Sequence, residues 1–403
     1  DKIAALERGE IPIFEPGLDA LVARNVREGR LSFTTDTPGA VRGALIVFIA
    51  VQTPPREDGA TDLTAVDAVA REIGRVLDGY KVIVTKSTVP VGTSKRVKAL
   101  IEEEVAAAGK QVTFSVASNP EFLREGAAIR DFMRPDRVVI GADDESSLAI
   151  LKDLYRPLYL NETPFVITNI ETSELTKYAA NAFLATKISF INEMANLCES
   201  IGGDVQALAR GIGLDQRIGS KFLHAGPGFG GSCFPKDTRS AAHFAREAGE
   251  ELEVVEAVIR VNERQRRRMT TKIVAALGGE TAGRTVGVLG LSFKPETDDM
   301  RDAPSIDIIA DLVAAGAEVR AYDPAAMPHA ARLLPEVKLC ENAYDACTGA
   351  DALVILTEWN QFRMLDLDRV RSLLARPIVV DLRNVYEPGS MRAAGFEYHC
   401  VGR

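Results

Sequence analysis

The chain has no run of about 18 apolar residues, so no part of it is read as spanning a membrane. It has no excess of basic charge either. Lys and Arg number 48 against 57 Asp and Glu, a formal net charge of -9, and without a basic stripe the chain is not read as a nucleic-acid binder. Low-complexity segments are absent. Cysteine is sparse: the five thiols at positions 198, 233, 340, 347 and 400 are an odd number, without the paired spacing of metal ligands or of a disulfide framework. The reading therefore includes no metal, and it takes the cysteines as reduced thiols of a cytoplasmic protein. The 403 residues are 46% hydrophobic and 26% charged, which is ordinary for a globular protein and long enough for two or three domains.

One stretch stands out. Residues 226–237 read Gly-Pro-Gly-Phe-Gly-Gly-Ser-Cys-Phe-Pro-Lys-Asp. Clustered glycines mark unusual backbone angles or close approach to a ligand. Lys236, three residues beyond Cys233, would favour the nucleophilic thiolate, and Asp237 would hold a water or orient the lysine. The competing reading is a buried cysteine beside a tight turn.

Around this stretch the pattern alternates strand and helix. Ala44–Val51 is a continuous apolar run and reads as a fully buried parallel strand. Further strands are expected at Val82–Thr85, 112–117 and Val138–Gly141, with helices over about 62–77 and 93–108. This predicts an α/β fold with a parallel sheet covered on both faces, whose ligands sit outside the carboxyl ends of the strands. Thr53, Ser87, Thr88 and the segment Asn119–Glu121 all fall at those ends. Residues 171–200 contain neither glycine nor proline and predict about eight turns of helix, which would join two domains or two subunits. Glu174, Lys177, Asn181 and Asn192 fall on one narrow stripe of it; a solvated face is the alternative to a used one. Helix is expected again over 241–247 and about 252–276. A second α/β set follows, with strands at 285–291, 318–322, 352–356 and 377–381, and it presents Lys294 and Arg383 at strand ends, where they suit a phosphate-bearing ligand. Gly287 and Gly290 make a partial glycine motif.

Phe14–Leu18, Lys86–Pro90, Asn119–Gly126, Lys177–Asn181, Gly230–Asp237 and Phe293–Arg301, in this order, resemble the nucleotide-sugar dehydrogenases of the UDP-glucose/GDP-mannose dehydrogenase family over essentially the whole chain. The form Gly-Gly-Ser-Cys-Phe-Pro-Lys-Asp is similar to the UDP-glucose branch. The resemblance implies two Rossmann-like parallel-sheet domains joined by a long central helix: an NAD-binding domain over 1–166, a central dimerisation and catalytic region over 167–262, and a UDP-binding domain over 263–403. It implies oxidation of UDP-glucose to UDP-glucuronate with NAD, through a covalent intermediate on Cys233. Lys177 and Asn181 would stabilise oxyanions, and Asp237, Thr88 and Glu121 would position and activate water. Phe122, Leu123, Phe222, Phe229, Gly230, Phe293, Lys294 and Arg383 match substrate-holding positions, and Arg217 would reach the substrate of a neighbouring subunit. Lys2, Thr53, Ser87, Thr88, Glu125, Lys236 and Arg301 match cofactor contacts. The implied assembly is a homodimer through the central helix, or a higher oligomer.

Two departures accompany the match. The family's first strand, Gly-x-Gly-x-x-Gly turn and helix would lie before Asp1, so the sequence is expected to be part of a longer protein. Gln52 stands where relatives commonly have glycine. The same chemistry on another UDP-sugar such as UDP-N-acetylmannosamine, or UDP-sugar binding without turnover, are the alternatives; a purely structural helix-mediated dimer leaves the Cys233 loop unexplained.

Overall fold

The computed structural model describes residues 2–403. The strand, turn and helix expected before Asp1 lie outside them. The chain divides into two compact units: residues 1–180 with 239–251, and residues 181–238 with 252–403.

The first unit holds a five-stranded sheet of order β1-β2-β3-β4-β5: β1 Ile46–Ile49, β2 Val82–Thr85, β3 Ser115–Ser118, β4 Val138–Ala142 and β5 Phe165–Thr168. β2 is apolar throughout because both its faces are covered. Ile83 packs with Ile73, Val97 and Ile101 of the helices Thr64–Val76 and Thr93–Ala107 and with Leu77 just beyond the first, while Val82 and Val84 pack with Val138, Ile140 and Leu151 on the other face. The structure corrects three expectations here. The run 44–51 is not a fully buried strand. Only Ile46–Ile49 is extended, it forms an edge of the described sheet, and Phe48 is 36% exposed. The strand expected at 112–117 starts only at Ser115. The sheet is also not wholly parallel: β3 and β4 run antiparallel, pairing Ala117 with Ala142 and Ser118 with Gly141.

The second unit holds a wholly parallel six-stranded sheet of order β11-β10-β9-β6-β7-β8, with β6 Thr285–Leu289, β7 Glu318–Tyr322, β8 Lys338–Leu339, β9 Ala352–Ile355, β10 Ile378–Asp381 and β11 Glu397–Cys400. Its core gathers Val286, Val288, Val354 and Val380 from the strands, Ile308 and Leu312 from the helix Pro304–Ala314, and Met269 and Ile273 from the helix Glu253–Ala276. Gly287 and Gly290 owe their presence to packing: a Cβ at Gly287 would stand 2.4 Å from the Ala346 carbonyl oxygen, and one at Gly290 would stand 2.4 Å from Thr357 Cβ.

The helix Ile170–Ile201 is continuous, and the unit boundary falls after Ala180. The four polar residues of its stripe are buried: Glu174, Lys177, Asn181 and Asn192. Their burial rules out a solvated stripe. Among the described residues, no helix is long and apolar enough to cross a membrane.

Candidate active site

In the first unit the strand ends build a rim. Thr53 Oγ1 donates to Thr88 O at 2.9 Å and Ser87 Oγ donates to Val51 O at 2.6 Å, which ties the loops after β1 and β2 together. Both hydroxyl protons are spent on backbone, so what these side chains offer a ligand is acceptor lone pairs. The helices that follow these two strands both begin on carboxylates. Asp62 accepts from Thr64 N–H at 2.9 Å, and Glu174 of the long helix accepts from Gly92 N–H at 2.7 Å and Ser94 N–H at 2.8 Å. The N-terminus of Thr93–Ala107 is thereby filled by a carboxylate, while at Thr64–Val76 the carboxylate answers the Thr64 N–H alone.

The loop after β3 carries Glu121, Phe122 and Leu123. Glu121 Oε1 is 3.4 Å from Lys177 Nζ, and its other oxygen accepts from Leu123 N–H. The Phe122 ring has Lys177 Nζ 5.3 Å from its centroid and the Arg137 guanidinium 3.7 Å from it, so two cations flank one aromatic ring. Glu15 anchors the same loop by accepting from Gly126 N–H and Ala128 N–H, each at 2.7 Å. Its segment, Phe14–Leu18, carries part of the resemblance, but the sequence reading gives Glu15 no role of its own; a carboxylate between a phenylalanine and a Pro-Gly turn was the available signal. Arg137 escaped the sequence reading, and Lys86, which opens one of the resemblance segments, is given no role of its own there. Glu125 is half-buried in this loop, and Lys2 lies exposed on the helix Lys2–Glu7.

In the second unit the glycine-rich loop ends on Cys233, which is half-buried. A helix starts immediately after it, at Phe234, and not at Ala241 as the sequence suggested. Pro235 sits in the first turn, where its missing N–H costs nothing. Asp237 N–H donates to Cys233 O at 2.8 Å, the first bond of that helix. The thiol therefore stands at a helix N-terminus, which favours a thiolate. Asp237 is 1% exposed; its Oδ2 accepts from Asn181 Nδ2 at 2.6 Å, and its Oδ1 lies 2.6 Å from Lys236 Nζ. The Lys236 charge is thus answered by its neighbour.

The loop is held from behind. Gly231 N–H donates to Arg301 O at 2.9 Å, and a Cβ on Gly230 would lie 2.4 Å from Asp302 O. Phe229 is buried, with its N–H on Asn262 Oδ1 at 2.8 Å, and its ring stands 6.0 Å from Phe234. Phe222 takes φ 65° and its ring lies 6.1 Å from the same Phe234. At the sheet rim Arg383 donates through Nε to Leu356 O at 2.8 Å and through NH2 to Phe293 O at 3.0 Å, while Lys294 Nζ is 5.5 Å from the Phe293 ring centroid. Arg217 is exposed and paired with Asp215, and Arg301 is exposed with Asp299 beside it.

The site residues therefore assemble as two groups: Lys177, Glu121 and Phe122 with the Thr53–Ser87–Thr88 rim in one unit, and Cys233, Asp237, Asn181 and Lys236 with the Arg383–Phe293 rim in the other.

Three family models match consecutive stretches of the chain: the NAD binding domain of the UDP-glucose/GDP-mannose dehydrogenase family over residues 1–159, its central domain over 171–264, and its UDP binding domain over 287–388. The UDP-glucose 6-dehydrogenase of Rhizobium meliloti (strain 1021) is 54% identical over 405 residues, covering 100% of this chain and 92% of that protein. The UDP-glucose 6-dehydrogenase TuaD of Bacillus subtilis (strain 168) is 50% identical over 403 residues, covering 100% of this chain and 86% of that protein. Among solved structures, a UDP-glucose dehydrogenase from the hyperthermophilic archaeon Pyrobaculum islandicum superposes with a TM-score of 0.90 at 41% identity, covering 98% of this chain and 89% of that one. With all three domain models matched in order and relatives alike along its full length, this chain belongs to the UDP-glucose/GDP-mannose dehydrogenase family, a family of NAD-dependent oxidoreductases.

Proposed function

We propose that the chain oxidises UDP-glucose to UDP-glucuronate in two steps at Cys233. The observation that carries this reading is the setting of that thiol: half-buried, at the start of a helix, one turn from a buried Asp237 that is hydrogen-bonded to Asn181. NAD, when bound, accepts a hydride in each of the two steps. The acceptor oxygens of Thr53 and Ser87 suit the hydrogen-bond donors of its ribose and carboxamide, while the carboxylate-filled N-terminus of Thr93–Ala107 does not suit its pyrophosphate.

The residues of the chain divide the remaining work. After the first oxidation gives an aldehyde at sugar C6, the Cys233 sulfur attacks the carbonyl carbon. The carbonyl oxygen takes the negative charge and then a proton, leaving a thiohemiacetal. Lys177 and Asn181 stabilise the developing oxyanion. Loss of the second hydride, together with the hydroxyl proton to solvent, leaves a thioester. Water attacks its carbonyl carbon, the C–S bond breaks, and the sulfur departs as thiolate, releasing the carboxylate. Asp237, Glu121 and Thr88 position that water and accept its proton. Phe122, Leu123, Phe222, Phe229, Gly230, Phe293, Lys294 and Arg383 hold the UDP-sugar, with Arg217 reaching that of a second copy. Lys2, Glu125, Lys236 and Arg301 contact the cofactor. In this reading residues 1–166 bind NAD, 263–403 bind UDP, 167–262 pair two copies, and the homodimer works in the cytoplasm.

Cys233→Ser is the decisive variant. It is expected to retain UDP-glucose binding by calorimetry while losing net formation of the acid by at least about 1,000-fold, the scale of losing a covalent catalyst. Full production of UDP-glucuronate by that variant would remove the thioester route, and turnover of UDP-N-acetylmannosamine in place of UDP-glucose would move the substrate.

A further inference from the structure

Lys86 follows β2 at the rim where Glu121 and Lys177 meet, and the reaction above gives it nothing to do. Its N–H donates to Ile49 O at 2.9 Å, prolonging the β1–β2 pairing, so the side chain starts from a fixed point. Nζ donates to Asn119 Oδ1 at 3.0 Å and stands 3.5 Å from the Tyr155 hydroxyl. Tyr155 donates to the same Oδ1 at 2.6 Å, and the Asn119 amide donates to Val139 O at 2.7 Å. Two donors on the oxygen and an acceptor on the nitrogen admit only one orientation of this amide. Asn119 is 1% exposed and opens the loop that ends on Glu121 and Phe122, so Lys86 is part of the footing of that loop.

The same arrangement leaves the lysine's charge poorly answered. Among the described residues, no carboxylate lies within ion-pair distance of Nζ; its near partners are a neutral amide and a neutral phenol, and the Tyr155 ring centroid is 5.9 Å away. Burial pushes the Lys86 amine down to about 8, with Glu121 opposing that shift and Lys177 adding to it. Those two are the charged groups that face Lys86, one from the loop after β3 and one from the long helix. Tyr155, pushed up to about 12 by burial, stays a neutral donor throughout the working range.

We propose that Lys86 is a positioning residue: together with the Tyr155 hydroxyl it fixes the Asn119 amide beneath the loop that carries Glu121 and Phe122, and so holds those two groups in place. The inference rests on the reading of Glu121 and Lys177 as groups of the reaction.

The test compares wild type with Lys86→Met, Lys86→Arg and Tyr155→Phe in kcat and KM for UDP-glucose and NAD, with urea unfolding measured alongside. Lys86→Met removes one donor to the Asn119 oxygen and is expected to lower kcat about tenfold with KM for both substrates little changed. Lys86→Arg keeps a donor there and should recover most of that loss. Tyr155→Phe removes the other donor and should repeat the loss, whether or not the methionine variant folds. Wild-type kcat in Lys86→Met or in Tyr155→Phe overturns the proposal, and so does a loss that the arginine variant shares in full. Wild type without any turnover sinks the reading of the site itself and this inference with it, and is told apart because the loss precedes any substitution.

Discussion

Gly231 shows how much the Cys233 loop depends on single atoms. Its φ is +84°, in the region L side chains avoid, and a Cβ there would stand 2.8 Å from two carbons of the Phe293 ring. Gly231→Ala therefore meets a backbone cost of about 1–2 kcal/mol and must also displace the ring. The expected loss is about 3 kcal/mol in denaturant unfolding, within the usual range for a strained and overpacked position. Alkylation of Cys233 by iodoacetamide should change in rate as well, because the loop that presents the sulfur has to shift. An alanine variant with wild-type unfolding and wild-type thiol reactivity would show that the loop is not held by this contact. Cys233 itself was legible from the run of glycines around it, since such a run has no core use. Lys86 was not: a lysine at the end of an apolar strand looks like any solvated strand end, and only the packing of Tyr155 and Asn119 against it reveals the amine's confinement.

At the scale of elements, the strands that were read most closely are those buried on both faces. Val82–Thr85 matches the expectation residue for residue because helices cover both its sides, whereas the run at 44–51 shrank to four residues where it forms an edge. Composition reports apolar content but not which strand lies outermost. The antiparallel β4 was hidden for a related reason: direction leaves no mark in the strand's own residues. The helix after Cys233 was hidden by Pro235, which reads as a stop unless the start is known to lie just before it. Glu174 stood out in the sequence only as one of a polar stripe. In the fold it reaches from the long helix to cap a different one, accepting the N–H groups of Gly92 and Ser94 at the head of Thr93–Ala107. Removing it as Glu174→Ala strands two donors, and about 3 kcal/mol of stability should go, measured by urea unfolding; Glu174→Gln, keeping one acceptor, should lose less. Burial raises the Glu174 carboxyl above its ordinary value despite those bonds. The folded state therefore binds more protons than the unfolded chain just above the usual carboxylate range, so this residue's contribution falls as pH rises through that window. The glutamine variant should lack that slope. Unchanged unfolding of Glu174→Ala would mean the cap carries no weight.

For the whole molecule, the family was legible because six motifs keep their order, while the pairing of two copies has to be argued from a surface. Along the 181–201 part of the long helix, Phe183, Phe190 and Leu197 recur every seven residues and are 66%, 47% and 49% exposed, with Ile201 at 71% beyond them. Seven residues return to nearly the same side of an α-helix, so these side chains form one stripe, and a heptad stripe of this kind is the seam along which helices pair. Because these side chains are only about half to two-thirds exposed, the stripe offers roughly half of the 800 Å² per partner of a stable interface, and the flanking surface would have to supply the rest. A stripe left in water would also be an aggregation liability that the acidic net charge does not reach. Phe190→Asp places two carboxylates face to face at the middle of the seam. The variant is expected to sediment as a monomer at micromolar concentration where the wild type sediments as a dimer. If Arg217 reaches the neighbour's substrate, the monomer should also lose UDP-glucose affinity in the same measurement series, although position 190 itself touches no ligand. A wild-type monomer would refute the pairing, and a dimer indifferent to the aspartate would place the contact elsewhere; either leaves the stripe without its partner.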